Sequence, residues 1–456
     1  MWRIVDKLLN FAATMEAYNY RRIWGIAFPI LVSLAMEQLI NLTDTAFMGR
    51  VGEVELGASA IAGVMFLVIF MVGHGFCTGA QILIARRNGE GRFADIGNVF
   101  YQGIYFVTAL AAVLFLLSSL FVDDILRMIV ASDNVARKAS EYMQWRVYGF
   151  FFAFAGGMFR SFYVGTTLTK TLTLNSVVMV VSNIVFNYAL IFGHFGCPKM
   201  GIGGAALGST LAEAVSVVFF IAYTRYGISY KKYSLQSIPR FSLSGQRRIL
   251  RLSVWVMIQS FISISTWFIF FIYIEHLGEE ALAVTNIVRS LSGLTFMTVM
   301  AFASACSSIV SNLIGEGHSG EVWPTIMRHV KLTYLVVIPV LVVISLFPKV
   351  FLAIFTDVPQ LVDASVASLW VMASSYLFLV PANCFFSSVS GTGQTRTAFR
   401  LELLSLVVYM AYITITIYWM RVDVALAWTA ESVYGVIMMV LCGYYLKSCK
   451  WMGQKI

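Results

Sequence analysis

Two acids stand where an apolar run should carry none. The stretch SLAMEQLINLTDTAFMGRVG places Glu37 and Asp44 seven residues apart, near one helical face and about 10 Å apart along the axis. An acid inside a membrane span is costly, and so is a functional candidate by default. A second run holds Asn183 and Asn187 at i and i+4, so both amides point the same way. A third holds Thr210 in GGAALGSTLAE, with Glu213 one turn further on. A carboxylate with amide and hydroxyl oxygens suits a proton or a hard cation such as sodium, which prefers oxygen ligands. Asp44, Asn183, Asn187, Thr210 and Glu37 are therefore the candidate cation-coupling residues, and Asp44, Asn183 and Asn187 the ligands if the ion is sodium. The plainer alternative is that Asn183, Asn187 and Thr210 only bind neighbouring helices together, at roughly 0.6 to 2 kcal/mol each.

Other polar and aromatic residues in apolar runs are candidates for touching a substrate. Gln259 either hydrogen-bonds substrate or joins helices, and Asn383 stands near Pro381. Arg289 neutralises Glu37, snorkels outward or meets the substrate. Trp145, Tyr148, Phe150, Phe154 and Trp267 offer rings for stacking on an apolar ligand. Pro29 either bends its helix between states or fixes a static kink.

The elements that position these residues follow from composition. The 456 residues are 59% hydrophobic and 12% charged, against roughly a quarter charged in soluble domains. A span every 35 to 40 residues or so, each about 20 residues long, gives twelve. They are expected near 23–48, 57–85, 97–122, 140–163, 170–193, 203–226, 249–274, 281–314, 325–348, 362–388, 397–420 and 424–447. The fold class is an all-α membrane protein. With the N-terminus inside, inner segments hold 23 of the 32 Lys and Arg and outer segments eight. That bias sets cytoplasmic N- and C-termini. It also explains the net charge of +9 without a nucleic-acid partner. Met1 to Tyr20 lacks a long apolar region and a cleavage site, and is expected as a cytoplasmic amphipathic lead-in. The six cysteines show no disulfide or zinc spacing, and no nucleophile and base pair suggests an enzyme.

An internal repeat runs through the chain. Gly52, Glu53 and Leu56 recur 226 residues on as Gly278, Glu279 and Leu282; Gly89, Glu90 and Gly91 as Gly315, Glu316 and Gly317; Gly165 and Thr166 as Gly391 and Thr392. Residues 1–226 and 249–456 thus form two six-helix lobes, joined by a cytoplasmic linker at 227–248. Six spans each imply a pseudo-two-fold axis along the membrane normal, a cleft between lobes and rocking between two openings. The same offset carries Asp44 to Phe270, Asn183 to Tyr409, Asn187 to Ile413 and Thr210 to Val436. The polar set therefore belongs to the first half alone, as a coupling site would.

FPILVSLAMEQLINLTDTAFMGRVGEVELGASA resembles the first helix of the multidrug and toxic compound extrusion (MATE) family. The resemblance continues through Asn183 and Asn187, GIGGAALGST, LGEEALAVTNIVRS and SGTGQTRTAF, covering nearly the whole chain. It implies a monomeric inner-membrane antiporter that expels drugs or metabolites in exchange for sodium ions or protons, without a cofactor. Asp44 matches the family's first-helix acid, and Asn183 and Asn187 its fifth-helix polar pair, where members often carry an acid at the second position. Members with a second-half cation site have acids in helices seven and ten, where this chain offers Gln259 and Asn383. The alternative is a flippase for a lipid-linked saccharide, which needs several cations to hold pyrophosphate.

Overall fold

A computed structural model describes residues 18–130 and 132–453, so most of the expected N-terminal lead-in lies outside the described residues. The apolar runs become helices: α1 (Tyr20–Val51), α2 (Glu53–Gly89), α3 (Phe93–Ile129), α4 (Asp133–Arg146), α5 (Gly149–Gly165), α6 (Lys170–Phe192) and α7 (Ile202–Tyr226) in the first half. The second half has α8 (Leu243–Glu275), α9 (Glu279–Gly315), α10 (Val322–Leu346), α11 (Pro359–Gly391), α12 (Thr395–Ile413) and α13 (Thr429–Lys447). Eleven described helices are long and apolar enough to cross a membrane, and α4 with α5 makes a twelfth span bent by 53°. The bend at Val147 and Tyr148 is the main departure from twelve simple rods. α12 runs on into a π-helical turn at Thr414–Trp419. The helices at Pro29 and Pro381 continue past the proline.

The repeat is visible in the helix limits. α2 and α9 are both 37 residues long, and each begins after a glycine and ends on one. The turns that follow need φ of +70° at Gly91 and +81° at Gly317, a region where only glycine is unstrained. α5 and α11 likewise end at Gly165 and Gly391.

The helices pack into two units. One is Val32–Ile258; the other joins the described residues up to Leu31 with those from Gln259 onward. The changes of unit fall inside α1 and α8, in step with the repeat. Within the second unit, Trp24 at the start of α1 lies 6.1 Å from Phe302 of α9. Within the first, Ser253 near the start of α8 donates to the carbonyl of Phe76 on α2, the residue matching Phe302 under the repeat. α2 approaches α8 there so closely that a Cβ on Gly79 would lie 2.1 Å from Ser253 Oγ.

Candidate functional site

The first unit gathers Asp44 of α1, Asn183 and Asn187 of α6 and Ser209 of α7 into one network. Asn187 Nδ2 donates to Asp44 Oδ1 at 2.6 Å and to Asn183 Oδ1 at 3.2 Å. Ser209 Oγ donates to Asp44 Oδ2 at 3.3 Å, and Asn183 Nδ2 to Ser209 Oγ at 3.1 Å. Asn183 and Asn187 are buried, whereas Asp44 is half-buried. Asn187 Oδ1 is buried without a hydrogen-bond partner. An orphaned carbonyl oxygen beside a carboxylate and a hydroxyl makes an all-oxygen donor set that a small hard cation completes.

α6 and α7 meet closely because α7 carries glycines where they touch. A Cβ on Gly204 would lie 2.5 Å from the Leu190 carbonyl oxygen, and one on Gly208 would lie 2.2 Å from Asn187 Oδ1. Gly204 and Gly208 have the four-residue spacing of small residues that lets helix backbones approach in membranes. Gly208→Ala must displace the Asn187 amide. The expected result is a roughly tenfold or larger rise in the cation concentration for half-maximal transport, the scale at which losing a ligand's support weakens ion sites. Comparing that concentration in wild-type and variant proteoliposomes checks it.

Thr210 lies beside this network but not in it. Its hydroxyl donates to the Trp145 carbonyl at 3.4 Å, joining α7 to α4. Ser209, rather than Thr210, supplies the hydroxyl that reaches Asp44: adjacent helical residues point about 100° apart, and the GxxxG face fixes which one turns towards Asp44. Glu37 also lies outside the network, in an ion pair with Arg160 of α5 at 2.5 Å. Glu37 is thus neutralised within its own unit, and Arg289 belongs to the other. Arg289 is exposed, with its guanidinium 5.8 Å from the Trp267 ring centre and 5.5 Å from that of Phe271.

The first unit also holds a buried ion pair. Arg146, at the end of α4, donates to both oxygens of Glu213 on α7, at 2.5 and 2.9 Å. The guanidinium lies 3.7 Å over the Phe66 ring. A Cβ on Gly149 would fall 2.2 Å from Arg146 Nη1, so the glycine after the bend makes room for the pair. The division of loop charges puts Arg160 with the inner segments and Arg146 with the outer ones, yet both lie in the broken span, and the acid in α7 is the sign that a cation must be nearby.

The residues expected to touch substrate are divided between the two units. Trp145 and Tyr148 flank the bend in the first unit and are both exposed. Gln259, Arg289 and Asn383 belong to the second, where the Asn383 amide donates to the Leu379 carbonyl of its own helix. The counterparts of the polar network carry no carboxylate or amide: Phe270, Tyr409 and Ile413 pack with Ile274, Ile417, Ala427 and Ala430 in one buried cluster, at whose edge the Tyr409 hydroxyl donates to Glu431. The same meeting of helices thus builds a hydrogen-bonded polar network in one half and a largely apolar core in the other.

The family model described as MatE matches residues 29–189 and again 256–415, once in each repeat. A probable multidrug resistance protein NorM of Agrobacterium fabrum is 27% identical over 412 residues, covering 89% of this chain and 85% of its own. One of the same name from Thermotoga maritima is 24% identical over 385 residues, covering 84% and 82%. Among solved structures, an outward-facing multidrug resistance MATE family transporter of the MOP superfamily superposes with a TM-score of 0.86 at 17% identity, covering 94% of this chain and 96% of its own. A eukaryotic MATE transporter, AtDTX14, superposes with a TM-score of 0.82 at 19% identity, covering 94% and 96%.

Proposed function

Because the chain belongs to the MatE family of membrane transporters, we propose that it is an antiporter that exports drugs or metabolites in exchange for an inward-moving proton or sodium ion. The observation that carries this reading is the Asp44, Asn183, Asn187 and Ser209 network, with its one unpartnered oxygen. An ion drives transport only if it binds one conformation better than another. A cation at Asp44 neutralises the carboxylate and rearranges the amides of α6 and the hydroxyl of α7, so its binding energy acts on the packing of three helices at once. Asp44 lies in the outer half of α1 under the orientation set by the loop charges, which suits loading from outside. The proposed location is the inner membrane, with both termini cytoplasmic and the protein acting as a monomer.

The test is ethidium efflux from proteoliposomes under separately imposed sodium and pH gradients. Acceleration by one gradient alone identifies the ion. Efflux indifferent to both would refute the antiport reading.

The flippase alternative receives less support. Arg146 and Arg160 of the broken span are each held by a glutamate, and the exposed Arg289 of α9 lies beside the rings of Trp267 and Phe271. A pyrophosphate needs more positive charge than that.

Glu37 then serves a different purpose from Asp44. The Glu37 and Arg160 side chains remain 44% and 27% exposed, and a partly exposed pair contributes about 1 kcal/mol at most. Glu37→Gln is therefore expected to keep the response to the ion gradient within about fivefold of wild type. Measuring initial efflux rates against gradient size in both proteins checks this.

A further inference from the structure

The repeat offset also maps residues of the second half back onto the first. Glu402 of α12 corresponds to Ser176, and Gln259 of α8 to Ser33. In the first half, Ser33 and Ser176 share a hydroxyl hydrogen bond of 2.8 Å. In the second, the same meeting of helices holds a carboxyl group. Glu402 is 3% exposed and lines a gap too narrow for water with Gln259, Ile262, Phe399, Leu403 and Leu406.

Hydrogen-bond geometry constrains the state of this carboxyl. Ser263 Oγ lies 2.9 Å from the Gln259 carbonyl oxygen and 2.5 Å from Glu402 Oε1. A serine hydroxyl has one proton to donate. If Ser263 donates it to the Gln259 carbonyl, the short contact with Glu402 is a hydrogen bond only when the carboxyl group supplies the proton. Glu402 Oε2 makes no hydrogen bond of ordinary length, although the Tyr434 hydroxyl and the Gln259 side chain act on the carboxyl group. The titratable side chains of α13 that face Glu402 are Tyr434 and Cys442, with Glu431 beyond Tyr434, and no Lys, Arg or His acts on it among the described residues. A bare carboxylate here would be a buried charge without a counter-ion, with a desolvation cost that the neutral groups around it offset only in part. A proton removes that cost and needs no coordination shell.

We propose that Glu402 is a second proton-binding site, built in the second half from α8, α12 and α13, whose exchange of a proton with the buffer does not require Asp44. The acids that the family resemblance implies for a second-half site are expected in helices seven and ten; this one stands in helix eleven. It adds to the Asp44 reading without depending on it.

The test is infrared difference spectroscopy of the full-length protein in lipid as buffer pH is raised. The stretch of a protonated carboxyl group is expected to disappear on alkalinisation, to persist in that behaviour in Asp44→Asn, and to be missing from Glu402→Gln. Ser263→Ala, which keeps the acid but removes its partner, is expected to move the band's frequency and titration midpoint. That variant also provides the test if Glu402→Gln does not fold. Three results would overturn the proposal: a folded Glu402→Gln with the wild-type spectrum, a Glu402 band that ignores pH and a Ser263→Ala spectrum matching wild type. Loss of the band on adding sodium chloride at constant pH would also overturn it, by making sodium the ligand.

Discussion

Asp44→Asn is expected to abolish ion-driven export, leaving ethidium efflux under an imposed gradient no faster than from protein-free vesicles. The substitution keeps the side chain's size and removes the only formal charge in the network, since the other members are two amides and a hydroxyl. Asparagine also brings a donor where Asp44 has two accepting oxygens, so the contacts from Asn187 and Ser209 cannot both survive. Because Asp44 is half-buried and no helix end or ion pair rests on it, the fold is expected to persist. An unchanged elution profile in detergent separates lost coupling from lost protein. The second-half counterpart is Phe270, buried in an apolar cluster, so nothing at the equivalent position replaces the missing charge.

Arg146→Met is expected to have the largest effect on stability. It leaves Glu213 as a buried charge without its partner, and breaking such a pair costs about 3 to 5 kcal/mol. The lost stacking over Phe66 adds to this. Thermal unfolding followed by size-exclusion in detergent should show a midpoint well below wild type. Arg146→Met with Glu213→Leu should recover most of the loss, because removing both charges avoids the unpaired one. If the double variant were no better than the single, the cost would lie in packing at the bend rather than in charge. The bend itself sets these demands, because α4 ends at Arg146, α5 begins at Gly149, and a side chain at Gly149 would occupy the guanidinium's place.

The twelve spans were legible because hydropathy and loop charge are properties of local sequence. Hydropathy windows pass smoothly over a change of axis, so the break between α4 and α5 was not. Asp44, Asn183 and Asn187 could be singled out as intramembrane polar residues, two of them on one helix face. Choosing Ser209 over Thr210 required the rotation of α7, which its contact with α6 decides. Arg146 and Arg160 looked like loop cations because span ends are uncertain by several residues, yet each has an acid partner two or more helices away in sequence. Glu402 is hidden from the repeat for a different reason: carrying first-half residues onto the second finds polar residues lost from the repeat but not one gained at the place of Ser176.

Exchange of cation for substrate is tested most directly without any imposed ion gradient. Proteoliposomes loaded with ethidium and diluted into ethidium-free buffer of the same pH and sodium concentration should take up protons or sodium as the dye leaves, followed with an internal pH dye and radioactive sodium. Coupled exchange predicts ion entry that rises in proportion to dye efflux and vanishes in Asp44→Asn. Dye efflux through the wild-type protein with no accompanying ion movement would contradict it.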